Sequence, residues 1–214
     1  MRQRIDDIIF DCDSTLSRIE GIDELAALSG HGERVAELTT AAMNGEIPLE
    51  SIYGERLNII RPTLRNVLTV AERYAQTEVT DARAVISHLL AGGKRIFVVS
   101  GGIYQAVLPF SKSLGISEQN VCAVHVLFDR HGSYTGFAAS PLTTSTGKAG
   151  VIRGLRVPGR TAMLVGDGTS DLAAKNVVDL FVGFGGVVSR PAVRAGAQVF
   201  LEGPSLLPLL DLIT

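Results

Sequence analysis

The sequence predicts an α/β fold built on a parallel sheet. Four short apolar stretches, DIIF, RIFVVS, TAMLVGD and DLFVGF, are typical of strands that are buried on both faces. Helical patterns separate these stretches, and parallel strands need such crossover connections. With 214 residues, of which 46 % are hydrophobic, the chain suits one ordinary domain or a core domain with a small insertion.

The first crossover is too long for a single helix. From Leu16 to about Gln76 the pattern predicts several short helices, which are separated at Gly30, Gly45 and Arg61-Pro62. Ligands of open α/β sheets bind beyond the carboxyl ends of the strands, where this insertion would lie. We therefore expect residues 1–15 and 77–214 to form the core, and residues 16–76 to form a helical cap, or lid.

The remaining segments each predict one element. DARAVISHLLAGG predicts the helix before the second strand, IYQAVLPFSKSLG the helix after it, and GKAGVIRGL the helix before the third strand. VHVLFDRHGSYTGF alternates around His131-Gly132 and predicts an antiparallel hairpin. The apolar tail SLLPLLDLI predicts a last helix, packed onto the domain and too short to span a bilayer.

Composition excludes several classes of function. The net charge is −2, and no basic block is present that would hold a nucleic-acid backbone. Neither a signal peptide nor a membrane span is predicted, and the two cysteines, Cys12 and Cys122, fit a reduced, cytoplasmic chain. We expect a small-molecule or folded-protein partner, no nucleic acid and no membrane, and a monomer or a homodimer.

Polar side chains gather where the apolar stretches end. Carboxyl ends of parallel strands share one edge of a sheet, so we expect these side chains to lie together. Clustered carboxylates repel each other unless a cation lies among them, and hard oxygen ligands favour Mg²⁺. The side chains expected at this edge are Asp11, Asp13, Ser100, Lys148, Asp167 and Asp171.

These residues occur in a recognisable order. DxDST, S-G, G-K and GDGxxD each occur in ordinary turns, but together and in sequence they resemble the haloacid dehalogenase superfamily of phosphatases. The resemblance spans nearly the whole chain and implies a Rossmann-like core with a small helical cap inserted after the first strand. It also implies a Mg²⁺-dependent phosphatase in which Asp11 is the nucleophile and Asp13 the general acid and base.

The same resemblance assigns the other site residues. It implies that Asp11, the backbone carbonyl of Asp13 and Asp167 bind the metal ion. Thr15 and Asp171 would support that site, and Asp171 would also orient the neighbouring lysine. The groups expected to hold the phosphate oxygens are Ser100, Gly101, Gly102 and Lys148.

Specificity is expected to lie in the cap. Arg56 falls inside the apolar stripe of PLESIYGERLNIIRP, four residues from both Ile52 and Ile60. An inward-facing arginine suits a carboxylate, and Glu20 is placed to meet an ammonium group. This pair predicts a zwitterionic amino-acid phosphate as substrate, although the two side chains could equally pair with each other.

At these residues the resemblance narrows to phosphoserine phosphatases. It implies that Glu20 and Arg56 bind the amino and carboxylate groups of the substrate. It further implies that Met43 lines the pocket under the cap and that Arg190 lies near the substrate phosphate. Two positions depart from the family pattern: Asn44 replaces a glycine, and Ser170 stands where many relatives have asparagine. Neither departure removes a catalytic group, both could change substrate preference, and the Ser170 hydroxyl could still contact the phosphate or the substrate.

Three alternatives stay open at this point. The enzyme could hydrolyse another small phosphate ester. It could pass the phosphoryl group from phosphoserine to an alcohol such as homoserine. From another class, the chain could be a weakly catalytic protein that binds phosphate or an amino acid, although two acids facing a phosphate argue against a pure binder.

Overall fold

The computed structural model describes residues 3–214, and its core is a six-stranded parallel sheet. The strand order is β3-β2-β1-β6-β7-β8, and β4 and β5 form a separate two-stranded sheet. The strands are β1 (Asp7–Phe10), β2 (Arg95–Ile103), β3 (Val121–Val124), β4 (Val126–Phe128), β5 (Tyr134–Phe137), β6 (Ala162–Gly166), β7 (Leu180–Phe184) and β8 (Val199–Leu201).

Helices flank this sheet and fill the long first crossover. They are α1 (Gly21–Leu28), α2 (Gly32–Met43), α3 (Leu49–Ile60), α4 (Leu64–Gln76), α5 (Ala82–Ala91), α6 (Tyr104–Ser113), α7 (Gly147–Leu155), α8 (Thr169–Ala173) and α9 (Pro191–Gly196). The predicted α/β class with a parallel sheet is therefore confirmed.

β1 occupies the centre of the sheet and pairs in parallel with β2 and β6, so that Ile8 lies opposite both Ile96 and Met163. All four residues of β1 are buried, as the apolar run of residues 8–10 predicts for its last three; the first, Asp7, is a buried charged residue. The four predicted strands are all present. The prediction missed β3 and β8, which are the two edge strands; VCAV and VFL are apolar, but these runs are only four and three residues long and are partly exposed.

α1 to α4 lie between β1 and α5, and we call residues 16–76 the helical insertion. Its helices are separated where the sequence predicts. Arg61 ends α3 in a left-handed conformation, with φ 43°. The next helix, α4, begins after Thr63, whose hydroxyl caps it by accepting from the Asn66 backbone N–H at 3.2 Å.

The predicted hairpin is present as β4 and β5, and it contacts the helical insertion. The Leu64 N–H donates to the Gly132 carbonyl at 2.9 Å, and Thr63 and Ser133 form an isolated antiparallel bridge. The start of α4 is therefore fixed to the hairpin tip by backbone hydrogen bonds.

The predicted last helix is present, and it is a 3₁₀ helix. Residues Leu207–Leu212 form a 3₁₀ helix that begins at Leu207-Pro208, and Leu209 is fully buried. Repeated leucines supply the apolar face of this short segment, and 3₁₀ helices are common as such short pieces. Among the described residues, no helix combines the length and the apolar character needed to cross a bilayer.

Asp7 holds the amino end of β1 by an ion-pair cluster, far from the carboxyl ends of the strands. Arg95 donates to its carboxylate at 2.5 and 2.8 Å, and Arg160 donates at 2.8 Å. Burial raises the pKa of the Asp7 carboxyl, but the hydrogen bonds from Arg95 and Arg160 outweigh this and bring the pKa below its ordinary value.

We expect Asp7→Asn to lower the free energy of unfolding by about 2 kcal/mol at pH 7, because the carboxylate is buried while both arginines are about one-third exposed. A carboxyl with a depressed folded-state pKa stabilises the fold above its unfolded pKa and loses this effect as the pH falls. In urea unfolding, the free energies of unfolding of wild type and Asp7→Asn should therefore differ by this amount at pH 7. The difference should become smaller as the pH falls from about 4 to about 3. Glu202→Gln, which removes an exposed pair with Arg194, is the control and should cost well under about 1 kcal/mol.

Candidate active site

The carboxyl ends of β1, β2 and β6 bring the candidate site together. Asp11 directly follows β1, and Asp167 directly follows β6. Ser100 does not end β2 as predicted, because the strand continues to Ile103. Its pairing with β3 is irregular between Val99 and Ile103, so this glycine-containing stretch bends beside the site while remaining in the sheet.

Lys148 joins two of the acids. Its ammonium nitrogen lies 2.6 Å from Asp11 Oδ2 and 2.6 Å from Asp171 Oδ1, and all three side chains are buried. Burial lowers the pKa of Lys148, but Asp11 and Asp171 outweigh this effect and raise it above its ordinary value. The lysine is therefore a fixed cation beside Asp11, and Asp171 orients it.

Asp11, Asp167 and Asp171 form a compact oxygen cluster. Each offers a carboxylate oxygen, and these oxygens all lie within 4.8 Å of one another. The Thr15 hydroxyl donates to Asp167 at 3.1 Å. Burial, together with the charge of Asp11, raises the pKa of Asp167 to about 6. Crowded, buried carboxylates of this kind are stabilised by a hard cation, so the donor set fits a divalent metal ion.

The Asp13 side chain is turned away from this cluster. Its Oδ1 accepts from the Gly21 N–H at 2.6 Å and from the Tyr74 hydroxyl at 2.5 Å, and its Oδ2 lies 3.4 Å from Ser100 Oγ. Burial and the charge of Asp11 raise the pKa of Asp13 to about 6. A carboxyl group with such a pKa can both give and take a proton near neutral pH.

Glycines allow the backbone to approach the acids closely. A Cβ at Gly102 would lie 2.8 Å from Asp13 Oδ2, and one at Gly21 would lie 2.0 Å from the Tyr74 hydroxyl. Larger residues at either position would displace Asp13. The Gly102 N–H donates to Ser100 Oγ at 3.0 Å, so the serine hydroxyl is held beside the glycines.

A cavity separates this cluster from the helical insertion. The insertion contacts the core across it, because the Tyr53 hydroxyl donates to the Gly101 carbonyl at 2.9 Å. All the residues predicted from the sequence to bind substrate line this cavity except Arg190. The residues of interest that line it are Asp11, Asp13, Glu20, Met43, Tyr53, Arg56, Ser100, Gly101, Gly102, Lys148, Asp167 and Ser170.

Arg56 is buried, with 4 % of its surface exposed, as its place in the apolar stripe predicts. Its Nη1 donates to Thr39 Oγ1 at 2.9 Å. Its Nε is buried and has no hydrogen-bond partner among the described residues. An unpaired, buried guanidinium N–H is costly unless a ligand accepts from it, and Arg56 is among the residues that line the cavity.

Glu20 lacks a close cation. The Ser14 hydroxyl donates to it at 2.7 Å, while Arg190 Nη2 is 3.9 Å away. Burial and the charges of Asp13 and Asp167 raise its pKa well above the ordinary value. Glu20 and Arg56 do not form an ion pair with each other, so each has capacity to bind a charged ligand.

Arg190 connects three parts of the site. It donates from Nε to Asp167 at 3.2 Å and from Nη1 to Asn44 Oδ1 at 3.2 Å, in addition to its long contact with Glu20. Asn44, one of the departures noted in the sequence, therefore binds the core through its side chain. This contact fixes the end of α2 above the carboxylate cluster.

Sequence reasoning missed several residues that shape the site. Tyr74 belongs to the apolar stripe of α4 and gives no sign of its polar contact with Asp13. Tyr53 belongs to the apolar stripe of α3, and its sequence gives no sign of the hydrogen bond to the Gly101 carbonyl. Thr39 is a buried threonine within a helix, where an unpaired hydroxyl would be unfavourable, but that burial is visible only in the structure.

Comparisons with known proteins agree with this geometry. Residues 8–174 match the haloacid dehalogenase-like hydrolase family. The chain is 39 % identical over 198 residues to a phosphoserine phosphatase of Drosophila melanogaster, covering 91 % of this chain and 73 % of the relative. It is 35 % identical to a chloroplastic phosphoserine phosphatase of Arabidopsis thaliana, covering 97 % and 72 % of the two chains. A solved phosphoserine phosphatase with an analogue of the phospho-aspartyl intermediate superposes with a TM-score of 0.87 and 26 % identity, covering 99 % of this chain and all of the other.

Proposed function

The chain belongs to the haloacid dehalogenase-like hydrolase family, and we propose that it hydrolyses O-phospho-L-serine to L-serine and inorganic phosphate. The observation that carries this proposal is the arrangement of the cavity. Glu20, an acid whose one ion-pair contact is a long one of 3.9 Å to Arg190, and Arg56, an arginine with a free buried N–H, line the same space as Asp11 and Lys148. These groups complement an ammonium, a carboxylate and a phosphate.

The proposed metal ion is Mg²⁺, held by Asp11, Asp167 and the backbone carbonyl of Asp13. The cluster of buried carboxylates supports this assignment, because Lys148 and Arg190 offset only part of its negative charge and its closely spaced oxygens suit a hard divalent cation. When bound, Mg²⁺ neutralises the phosphate charge and so permits attack by an anion. Thr15 and Asp171 support the site by holding Asp167 and Lys148.

Asp11 is the proposed nucleophile. Its carboxylate attacks phosphorus, the bond to the serine oxygen breaks, and an aspartyl-phosphate forms on Asp11. Lys148 is placed to share its charge between this carboxylate and a phosphate oxygen. The groups proposed to hold the other phosphate oxygens are the Ser100 hydroxyl and the backbone N–H groups of Gly101 and Gly102.

Asp13 is the proposed general acid and base. In the first step it donates a proton to the leaving serine oxygen, and in the second it takes a proton from the water that attacks the aspartyl-phosphate. Tyr74 and the Gly21 N–H fix one of its oxygens, which leaves Oδ2 facing Ser100 and the cavity. Asp13 is thus oriented without taking part in the oxygen cluster.

The helical insertion is the proposed lid and specificity element. Arg56 binds the substrate carboxylate and Glu20 its ammonium group, while Met43 and Ser170 line the remaining wall. Arg190 does not line the cavity, and it supports the site through its hydrogen bonds to Asp167 and Asn44. Substrate entry requires the insertion to move away from the core, and we propose Gly21 and residues 76–80 as the hinges.

The prediction that tests this function is a panel of phosphate esters. With Mg²⁺, we expect kcat/KM for O-phosphoserine to exceed that for a sugar phosphate or for phosphoethanolamine by at least about tenfold, since each lost charged contact costs at least that much. Phosphate release is the readout, a chelator-treated sample is the control, and added homoserine tests phosphoryl transfer. Equal turnover of phosphoserine and a sugar phosphate would contradict the proposal.

We also propose that the enzyme works in the cytoplasm. Both cysteines are free, as a reducing compartment permits. The compartment differs among relatives, because the similar Arabidopsis protein is named as chloroplastic.

A further inference from the structure

Arg56 is held by a chain of two hydrogen bonds that crosses three helices. Its Nη1 donates to the hydroxyl of Thr39 on α2 at 2.9 Å. The Thr39 hydroxyl in turn lies 2.6 Å from Oδ1 of Asp23 on α1. Thr39 is buried, with 2 % of its surface exposed, so water does not compete for these bonds.

The direction of each bond follows from the groups involved. The Thr39 hydroxyl has one proton to donate. It donates this proton to the Asp23 carboxylate at 2.6 Å rather than to the Val35 carbonyl at 3.0 Å, because a short hydrogen bond to a charged acceptor is the stronger one. A hydroxyl that donates to a carboxylate is a better acceptor, because hydrogen bonds in a chain polarise one another. The oxygen of Thr39 is therefore well suited to accept from the Arg56 guanidinium.

The charges agree with this chain. Burial lowers the pKa of Arg56, and nearby acids including Asp23 counteract that effect. Burial raises the pKa of Asp23, whereas the Thr39 hydroxyl and Arg56 lower it. The negative charge of Asp23 thus partly balances the positive charge of Arg56, although Thr39 lies between the two groups. A direct Asp23–Arg56 pair would instead occupy the arginine fork.

We propose that Thr39 and Asp23 are positioning residues, which hold one end of the Arg56 guanidinium so that its free Nε–H faces the carboxylate of the substrate. This inference rests on the proposed function and adds two residues to its specificity element. Neither residue lines the cavity, so both act through Arg56. The consequence is that the loss of the Thr39 hydroxyl should affect only substrates that carry a carboxylate.

The test compares Thr39→Val with Thr39→Ser in the full chain with Mg²⁺. Valine keeps the shape of threonine and removes the hydroxyl, whereas serine keeps the hydroxyl. For O-phosphoserine we expect Thr39→Val to raise KM about tenfold with kcat within about threefold of wild type, as for the loss of a hydrogen bond to a charged group. Thr39→Ser, which keeps the hydroxyl, should have a KM within about threefold of the wild-type value. Thr40→Val, at the exposed neighbouring position, is the matched control and should behave as wild type.

Phosphoethanolamine, which lacks the carboxylate, separates positioning from a structural role. Its kcat/KM, or its inhibition constant against phosphoserine if turnover is slow, should be the same for Thr39→Val and wild type. Asp23→Asn should also raise KM for phosphoserine, but by a smaller factor than Thr39→Val, because the amide oxygen can still accept the hydrogen bond from the Thr39 hydroxyl. Equal losses with both compounds, or no change with either, would overturn the proposal. A wild type that does not hydrolyse phosphoserine would instead contradict the proposed function itself.

Discussion

Replacement of Asp11 by asparagine is expected to reduce phosphatase turnover by a factor on the order of 10⁴ or more, because an amide cannot attack phosphorus as a carboxylate does. Asparagine is nearly isosteric, and its single amide oxygen can take the place of Oδ2 and accept from Lys148, or the place of Oδ1 and accept from the Cys12 N–H, which lies 2.7 Å from Asp11 Oδ1. Lys148 loses one of its two acids but keeps Asp171. We therefore expect the variant to fold and to bind phosphoserine while it fails to turn it over.

Two measurements complete this test. Phosphate release gives the rate, and acid-quenched wild-type enzyme should carry phosphate on a peptide that contains Asp11, whereas the variant should not. Asp129→Asn, an exposed aspartate in the hairpin turn, is the matched control and should retain wild-type rates. If Asp11→Asn kept a rate within about a hundredfold of wild type, the nucleophile would have to lie elsewhere.

Much of the fold was predictable from the sequence because the central strands are buried on both faces. Such strands carry runs of apolar residues, interrupted here only by polar residues near their ends, so β1, β2, β6 and β7 are each visible in the sequence. The edge strands β3 and β8 are also apolar, as VCAV and VFL, but they are short and partly exposed, and pattern alone does not distinguish such short runs from loops. The family relationship, predicted from the motifs at the strand ends, is confirmed by the relatives.

The candidate site likewise contains residues whose positions the sequence pattern predicts and contacts that it does not predict. Asp11 and Asp167 follow apolar strands, so topology alone predicts that they meet, and the burial of Arg56 follows from its place in a helical stripe. Contacts between side chains on different helices leave no comparable pattern in the sequence. The Arg190–Asn44 bond joins residues 146 positions apart, and nothing in the local sequence of either residue points to the other. Asn44 could be recognised as unusual, but its partner could not be predicted.

Replacement of Asp13 by asparagine is expected to slow phosphoserine turnover by about 10²- to 10⁴-fold, the usual range for loss of a general acid or base. The structure favours a folded variant. The amide oxygen can take the place of Oδ1 and accept from Gly21 and Tyr74, and the amide nitrogen then faces the Ser100 hydroxyl, which can accept from it. What the variant loses is the exchangeable proton.

The choice of phosphoryl donor separates the two roles of Asp13. Serine leaves as an alkoxide unless it is protonated, whereas acetyl phosphate releases acetate, which needs no proton. Acetyl phosphate should therefore still phosphorylate Asp11 in the Asp13→Asn variant. Hydrolysis of the aspartyl-phosphate needs a base, so the phosphorylated enzyme should accumulate and be detectable after acid quenching, while phosphoserine should yield little of it.

Tyr74→Phe distinguishes proton transfer from the orientation of the carboxylate. It removes the hydroxyl that donates to Asp13 Oδ1 but leaves the carboxyl group and the Gly21 N–H in place. We expect a loss of about tenfold or less, similar for both donors, because orientation affects both steps while the proton remains available. If Asp13→Asn slowed phosphorylation by acetyl phosphate as much as by phosphoserine, Asp13 would act by holding the phosphate or the metal ion, and a different group would have to protonate the leaving serine.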